Sequence, residues 1–392
     1  MSCLKVGVFT GNRAEYGLLK PLISAIRADP DLELLLFVGG ALLNDKYGKG
    51  LDAITDDGFE ITRTIKIPEP GTSGVSTAGA IAAAITQCEA AFLEYDMDGI
   101  IVYADRYEGF AAVIAASHSN IPVFHIEGGD ITQGGAFDDN VRHAMTKLSH
   151  LHFATNSLAC EVLREMGEED WRIENVGLMS LATLSSDDLL SPNALQEALG
   201  IPIKEKLVIF TLHSISSSNN QTQNEADAAF AALRSILLEE SVTLILTYPN
   251  DDNGSDIVIK EIRQLKHDFP EVEVIPSLGQ KRYFSILNLR RHGYDVICMG
   301  NTSSIVKECI FFGVPGILIG TRQTGRLIPG NVRTTPANKE SILESYLDRD
   351  NIINPRSRLE NPYCVEHGVN QALEHIKRYG RDPRLFKKVF NR

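Results

Sequence analysis

Residues 4–40 read LKVGVFTGNRAEYGLLKPLISAIRADPDLELLLFVGG, and this stretch decides the fold. Residues 4–10 form an apolar run of strand length. After Gly11-Asn12-Arg13, Leu18, Leu19, Leu22, Ile23 and Ile26 recur at helical spacing over Ala14–Ala28. A second apolar run, Leu32–Val38, closes on Gly39–Gly40. A strand, a crossover helix and a strand predict a parallel pair, because parallel strands need a connection of this length. The turn Gly11–Arg13 then falls at a strand's carboxyl end and a helix N-terminus, where such sheets bind phosphate or a nucleotide.

The same alternation continues outward. A turn-rich loop, PEPGTSGVSTAG at 68–79, precedes a helix expected over about 80–94. Strand Gly99–Ala104, helix Ala111–Ser117, strand Ile121–Ile126, a helix at about 139–149 and strands at His152–Ala154 and Ile173–Val176 follow. Residues 177–205 lack periodicity and read as a crossing between domains. The pattern then restarts. Strands are expected at 207–212, 242–248, 272–275, 295–299 and 316–319, separated by helices at 222–240, 256–267, 281–291 and 302–312. A chain of 392 residues exceeds what one core organises. The expectation is an α/β protein of two doubly wound parallel-sheet, Rossmann-like domains facing across a cleft, residues 1–177 and 178–364.

Composition bounds the function. Hydrophobic residues are 43% and charged residues 23%, ordinary for a globular chain with a core. No window approaches eighteen uninterrupted apolar residues, and the N-terminus enters a strand at once, so a cytoplasmic protein without a signal peptide or membrane partner is expected. A formal net charge of −13 argues against nucleic acid as a partner. Cysteines 3, 88, 160, 298, 309 and 364 never form C-x-x-C and read as small buried apolar residues. Lys377–Arg392 is basic and expected at the surface.

Chemistry concentrates at strand ends. Residues 125–143, HIEGGDITQGGAFDDNVRH, place His125, Glu127 and Asp130 around Gly128–Gly129, then Asp138, Asp139, Arg142 and His143 at a helix start. Glycines after a strand let backbone turn sharply and approach a ligand. Asp105-Arg106-Tyr107-Glu108 terminates another apolar strand. In the second half, His213 and Asn250 stand at strand ends. Gly300-Asn301-Thr302-Ser303-Ser304 offers backbone N–H groups and hydroxyls that suit a diphosphate, or that simply cap a helix. Glu308 could accept from ribose hydroxyls, and Arg322 and Arg326 sit in a glycine-rich loop. Neither G-x-G-x-x-G after a strand nor a Walker A sequence occurs, and no metal-ligand spacing stands out. No redox cofactor and no metal are therefore expected. Carboxylates in one half and diphosphate donors in the other fit a nucleotide-activated sugar.

GNRAEYG near the N-terminus, DRYE at 105–108, HIEGGD at 125–130, DDNVRHAMTKLSH at 138–150 and GNTSS with GTRQTGR at 300–326 resemble the hydrolysing UDP-N-acetylglucosamine 2-epimerases and their N,N'-diacetylbacillosamine relatives, in the same order over roughly 4–335. The resemblance implies a GT-B-like architecture, with the C-terminal helix, about 365–392, packing back on the first domain. It implies release of the nucleoside diphosphate and a C2-inverted free amino sugar that feeds sialic or other nonulosonic acids. By position it implies Asp105, Glu127 and Asp138, with Asp139 beside them, as catalytic carboxylates. His213 would serve both catalysis and binding, while Arg13, Arg106, Arg142, Asn250, Ser303, Ser304, Glu308 and Arg322 would contact substrate or nucleotide. Many relatives have Pro after the equivalent of His213; here the loop is His213-Ser214-Ile215-Ser216. A homo-oligomer, dimer or tetramer, is expected. A GT-B glycosyltransferase could use the same nucleotide site, and a non-catalytic nucleotide-sugar sensor is the alternative from another class. The density of carboxylates over 105–139 favours the epimerase.

Overall fold

The computed structural model describes residues 3–44, 50–70, 75–132, 138–185, 188–215, 218–249, 254–352 and 361–390. They form two compact units: Met1–Asp130 with Asp138–Thr183 and Tyr363–Arg392, and Ile131–Phe137 with Leu184–Pro362.

The first unit runs β1 (Leu4–Thr10), α1 (Arg13–Ala28), β2 (Leu32–Gly39), α2 (Gly50–Asp56), β3 (Arg63–Ile65), α3 (Thr77–Phe92), β4 (Gly99–Tyr103), α4 (Tyr107–His118), β5 (Val123–Ile126), α5 (Asp138–Leu148), β6 (Leu151–Ala154), α6 (Ser157–Glu165), β7 (Ile173–Asn175) and α7 (Met179–Ala182). Its sheet has the order β3-β2-β1-β4-β5-β6-β7, with every pairing parallel. Strand order reverses between β1 and β4, so the ligand crevice of a doubly wound sheet lies at their carboxyl ends. Both faces are covered. Val6 and Val8 pack on one side with Leu19, Leu22, Ile23 and Ile26 of α1. Phe9 and Phe37 pack on the other with Phe92 and Val102. Burial on both faces is why these strands read as continuous apolar runs rather than alternating ones.

The second unit runs α8 (Pro192–Leu199), β8 (Lys206–Thr211), α9 (Asn219–Glu239), β9 (Thr243–Leu246), α10 (Ser255–Asp268), β10 (Glu273–Val274), α11 (Gly279–Asn288), β11 (Asp295–Gly300), α12 (Ser303–Lys307), α13 (Cys309–Phe312), β12 (Gly316–Ile319), β13 (Val332–Thr335) and α14 (Lys339–Leu347). Its parallel sheet, β10-β9-β8-β11-β12-β13, repeats the winding of the first, with the switch between β8 and β11. The expected α/β class of two doubly wound parallel sheets is what the chain forms.

Several expectations are corrected. Residues 177–205 are not a bare crossing: α7 and α8 lie within them, α8 capped by Ser191 and ended by left-handed Gly200. The helix expected over 302–312 is two short helices that meet at Glu308. Strands β3 and β13 escape the sequence pattern because they are short edge strands with partly polar sequences, RTI and VRTT. All six cysteines are free thiols, yet only four are buried; Cys364 is exposed and Cys3 partly so. The basic C-terminus is not simply surface. After α15 (Gly368–Tyr379), Leu385 is buried, and Lys388 Nζ donates to the carbonyls of Thr146, Lys147 and Ser149 at the end of α5. Lys388 also pairs with buried Glu168 at 2.7 Å. A cation over those orphan carbonyls is a favourable helix C-terminal contact, which draws the tail inward. Among the described residues no helix is long and apolar enough to cross a membrane.

Candidate active site

In the first unit, Asp105 and Glu127 lie just beyond the paired ends of adjacent strands β4 and β5, whose register runs to Tyr103 opposite Ile126. Both strands leave the sheet through left-handed, non-glycine residues, Ala104 at φ 53° and Glu127 at φ 65°. Such backbone costs roughly 1–3 kcal/mol and persists only where the surroundings hold it. The surroundings can be named. Ala104 N–H donates to Ile126 O at 3.0 Å, and Glu127 N–H donates to Phe153 O at 3.0 Å. His125, fully buried on β5, donates from Nε2 to Ala104 O at 2.7 Å and accepts at Nδ1 from the Thr146 hydroxyl at 3.2 Å. Burial pushes its pKa down to about 3, so the imidazole is neutral and acts as a fixed peg.

Arg142 on α5 is the hub of the carboxylates. Its side chain is 1% exposed. Nη2 donates to Asp105 Oδ2, and Nη1 donates to Asp139 Oδ1 at 2.6 Å and to the Asp130 carbonyl at 2.8 Å. Burial works against its charge, but Asp105, Asp130 and Asp139 outweigh that and hold it protonated. The guanidinium proposed from sequence as a substrate contact is thus engaged inside the unit. Glu127 accepts from the Tyr103 hydroxyl at 2.5 Å. Asp130 accepts from Thr155 and Asn156, so it ties the loop to the start of α6. Asp138 opens α5 and is exposed. Arg106 lies 3.4 Å from the fully buried carboxylate of Glu108.

Within the glycine pair, Gly129 is required by the chain itself. A Cβ on Gly129 (φ 84°) would stand 2.2 Å from Ala159 O. The close approach that demands glycine is therefore to the backbone of α6. At the β1 switch point, Asn12 caps α1 by accepting from Glu15 N–H at 3.0 Å, while Glu15 accepts from Gly11 N–H at 2.8 Å. One donor of the expected phosphate turn, Gly11 N–H, and one in the first turn of α1, Glu15 N–H, are therefore taken by the chain itself. Arg13 opens α1, and its side chain lies outside the described residues, as does Asn250.

In the second unit, the ends of β8, β11 and β12 gather His213, Ser303, Ser304 and Arg322. Thr302, not Ser303, is the cap of α12, accepting from Ser304 N–H at 3.5 Å. The Tyr283 hydroxyl donates to Ser304 Oγ at 3.0 Å. Helix α12 has only five residues, so its dipole adds little to the local donors. Glu308, at the junction of α12 and α13, is half-buried. Burial, and then Arg322, push His213 down to about 3, leaving a neutral imidazole. Arg322 Nη1 reaches Asn301 O at 3.5 Å. Sequence reasoning singled out His125 in the 125–143 stretch but passed over Tyr103 and Tyr283 as site-building residues. A tyrosine as the last residue of a buried strand was the available signal for Tyr103.

Two doubly wound units each hold polar side chains at the carboxyl ends of their strands, one a carboxylate–guanidinium cluster and the other a neutral imidazole, hydroxyls and a guanidinium, where sheets of this class bind ligands. Residues 24–377 match the family model of UDP-N-acetylglucosamine 2-epimerase, and the chain belongs to that family. It is 30% identical over 341 residues to the GDP/UDP-N,N'-diacetylbacillosamine 2-epimerase (hydrolyzing) of Campylobacter jejuni, covering 86% of each chain. It is 30% identical over 336 residues to the UDP-N-acetylglucosamine 2-epimerase of Neisseria meningitidis, covering 86% of this chain and 85% of that one. The solved UDP-GlcNAc 2-epimerase from Neisseria meningitidis, bound to UDP-GlcNAc, has the same fold, with a TM-score of 0.79 and 17% identity over 96% of this chain and 100% of that one.

Proposed function

We propose that the protein is a hydrolysing 2-epimerase that converts UDP-N-acetylglucosamine and water to N-acetylmannosamine and UDP, supplying nonulosonic acid synthesis. The observation that carries this reading is the set of carboxylates held at one sheet edge: Asp105 and Asp139 on Arg142, and Glu127 on Tyr103. The C2 proton of the sugar is not acidic, since no carbonyl is attached. It becomes removable only as the C1–O bond to the diphosphate breaks and positive charge grows at C1. A site for that step needs leaving-group stabilisation, carboxylates facing the cation and a base near C2.

In this reading, Arg13, His213, Asn250, Ser303, Ser304 and Arg322 hold the diphosphate, and Glu308 the ribose. One carboxylate among Asp105, Glu127 and Asp138 takes the C2 proton as the C1–O electron pair leaves with UDP, giving a 2-acetamidoglucal. Water then adds its oxygen to C1, and a proton returns to C2 from the opposite face. Arg142 fixes Asp105 and Asp139 and offsets their mutual repulsion. No electrons are exchanged with a cofactor.

The same chemistry on UDP- or GDP-N,N'-diacetylbacillosamine is the second reading, favoured by the name of the Campylobacter relative. The test is incubation with each nucleotide sugar in heavy water. N-acetylmannosamine with deuterium at C2, plus UDP, is expected from UDP-N-acetylglucosamine. Faster turnover of the bacillosamine nucleotide would move the assignment to the second reading. Release of N-acetylglucosamine would point to transferase-type hydrolysis, and no turnover of either would remove the proposal.

A further inference from the structure

Asn301 stands at the β8–β11–β12 edge and has no exposed surface. It follows Gly300, the last residue of β11, and its N–H donates to Thr211 O at 3.1 Å, continuing the ladder to β8. Its side chain then takes over where the strands part. Oδ1 accepts from His213 N–H at 2.7 Å, and Nδ2 donates to His213 O at 2.9 Å. The amide thus pairs with one peptide as a strand neighbour would. This orientation is the only consistent one, because a flipped amide would face a donor with a donor and an acceptor with an acceptor. The Asn301 carbonyl accepts from buried Gln323 Nε2 at 2.9 Å and lies 3.5 Å from Arg322 Nη1. The side chain therefore sets the backbone of His213, while the main-chain carbonyl, which any residue at 301 would offer, receives the loop that carries Arg322.

A capping residue would satisfy its own helix, yet α12 is capped by Thr302. Both faces of the Asn301 amide are instead engaged by His213, the residue that leads a site loop, and the side chain also hydrogen-bonds to Glu225. We propose that Asn301 is a positioning residue, whose side-chain amide aims the His213 imidazole for a nucleoside diphosphate. The proposal rests on the diphosphate assignment made above.

The test compares Asn301→Asp, Asn301→Ala, His213→Ala and the two double variants that combine His213→Ala with each Asn301 change. Asn301→Asp keeps the shape and the acceptor for His213 N–H and removes the donor, so it serves where Asn301→Ala folds poorly. UDP dissociation constants, turnover of UDP-N-acetylglucosamine and melting temperature are read on each preparation. Expected is a UDP dissociation constant raised about tenfold in either single Asn301 variant, the order that follows when a buried hydrogen-bonding partner is lost. In the double variants the Asn301 change should add much less than in the wild type, because no imidazole remains to be aimed. Losses that multiply, or UDP affinity within twofold of wild type, overturn the positioning role while leaving the function intact. A wild-type protein that neither binds UDP nor turns over overturns the functional reading, and this proposal with it.

Discussion

Asp105 bears the sharpest test at the scale of a single residue. It follows left-handed Ala104, whose carbonyl is held by His125, and it is paired to Arg142. Asp105→Asn keeps the size and removes the charge. If the carboxylate moves the C2 proton or faces the cation, turnover should fall at least about a hundredfold, while UDP affinity stays within a few-fold. Near-normal turnover would remove it and leave Glu127 and Asp138. Tyr103→Phe removes the hydroxyl that donates to Glu127, so turnover should drop about tenfold, the order of one hydrogen bond to a charged group; unchanged kinetics would make that contact incidental. Arg322→Ala should weaken UDP binding by roughly 1.5–3 kcal/mol if the guanidinium meets the diphosphate. A titration showing the same dissociation constant would exclude it.

The elements impose their own demands. Strands β8 and β11 converge so closely at Gly300 (φ 130°) that a Cβ there would lie 1.9 Å from Thr211 O. Gly313 ends α13 in the left-handed region, φ 67°, with open space where a Cβ would go. The two glycines look alike in sequence and differ in consequence. Gly313→Ala should cost about 1–2 kcal/mol, the conformational penalty alone. Gly300→Ala adds a backbone collision and should cost more than about 3 kcal/mol. Denaturant midpoints of the two variants decide the matter, and equal losses would mean that the β8–β11 edge yields freely.

At the scale of the whole molecule, the C-terminal segment and the buried histidines govern stability. Arg172, fully buried, donates to the carbonyls of His150, Arg384 and Leu385 and pairs with Glu169 at 2.7 Å. Arg172→Met should cost about 3 kcal/mol, since it leaves those groups unmatched. Burial pushes His125 and His213 down to about 3, and His150, His152 and His375 down to about 4, from 6.5. A depressed folded value means the unfolded chain binds the proton first. Stability from these groups is complete above pH 6.5 and is lost as pH falls toward 4, by up to about 1.4 kcal/mol per unit for each. Glu15 acts oppositely: burial, then Glu108, raise it to about 8, so it favours the folded state less as pH rises from 4.5 to 8. His143 is lowered as well, while Glu174 and Glu225 are raised like Glu15, all chiefly by burial. Six imidazoles against three carboxyls predict a lower urea midpoint at pH 5 than at pH 7.5. An equal or higher midpoint at pH 5 would contradict the neutral, buried state of these imidazoles.

The α/β class was legible because central parallel strands are buried on both faces, so runs such as residues 4–10 and 32–38 cannot hide. Edge strands β3 and β13 were not, because a strand with one free edge tolerates Arg and Thr. Charge appearing abruptly after an apolar strand marked Asp105 and Glu127, since only a strand end leaves the core so suddenly. What sequence could not decide is who meets whom. Arg142 finds Asp105 thirty-seven positions away, and Asn301 finds His213 across the gap between two strands. Gly129 is required by a helix carbonyl thirty residues on. Local order determines periodicity and turn chemistry over a few residues. Pairing of buried charges and amides depends on distances that exist only once both sheets have closed over their cores.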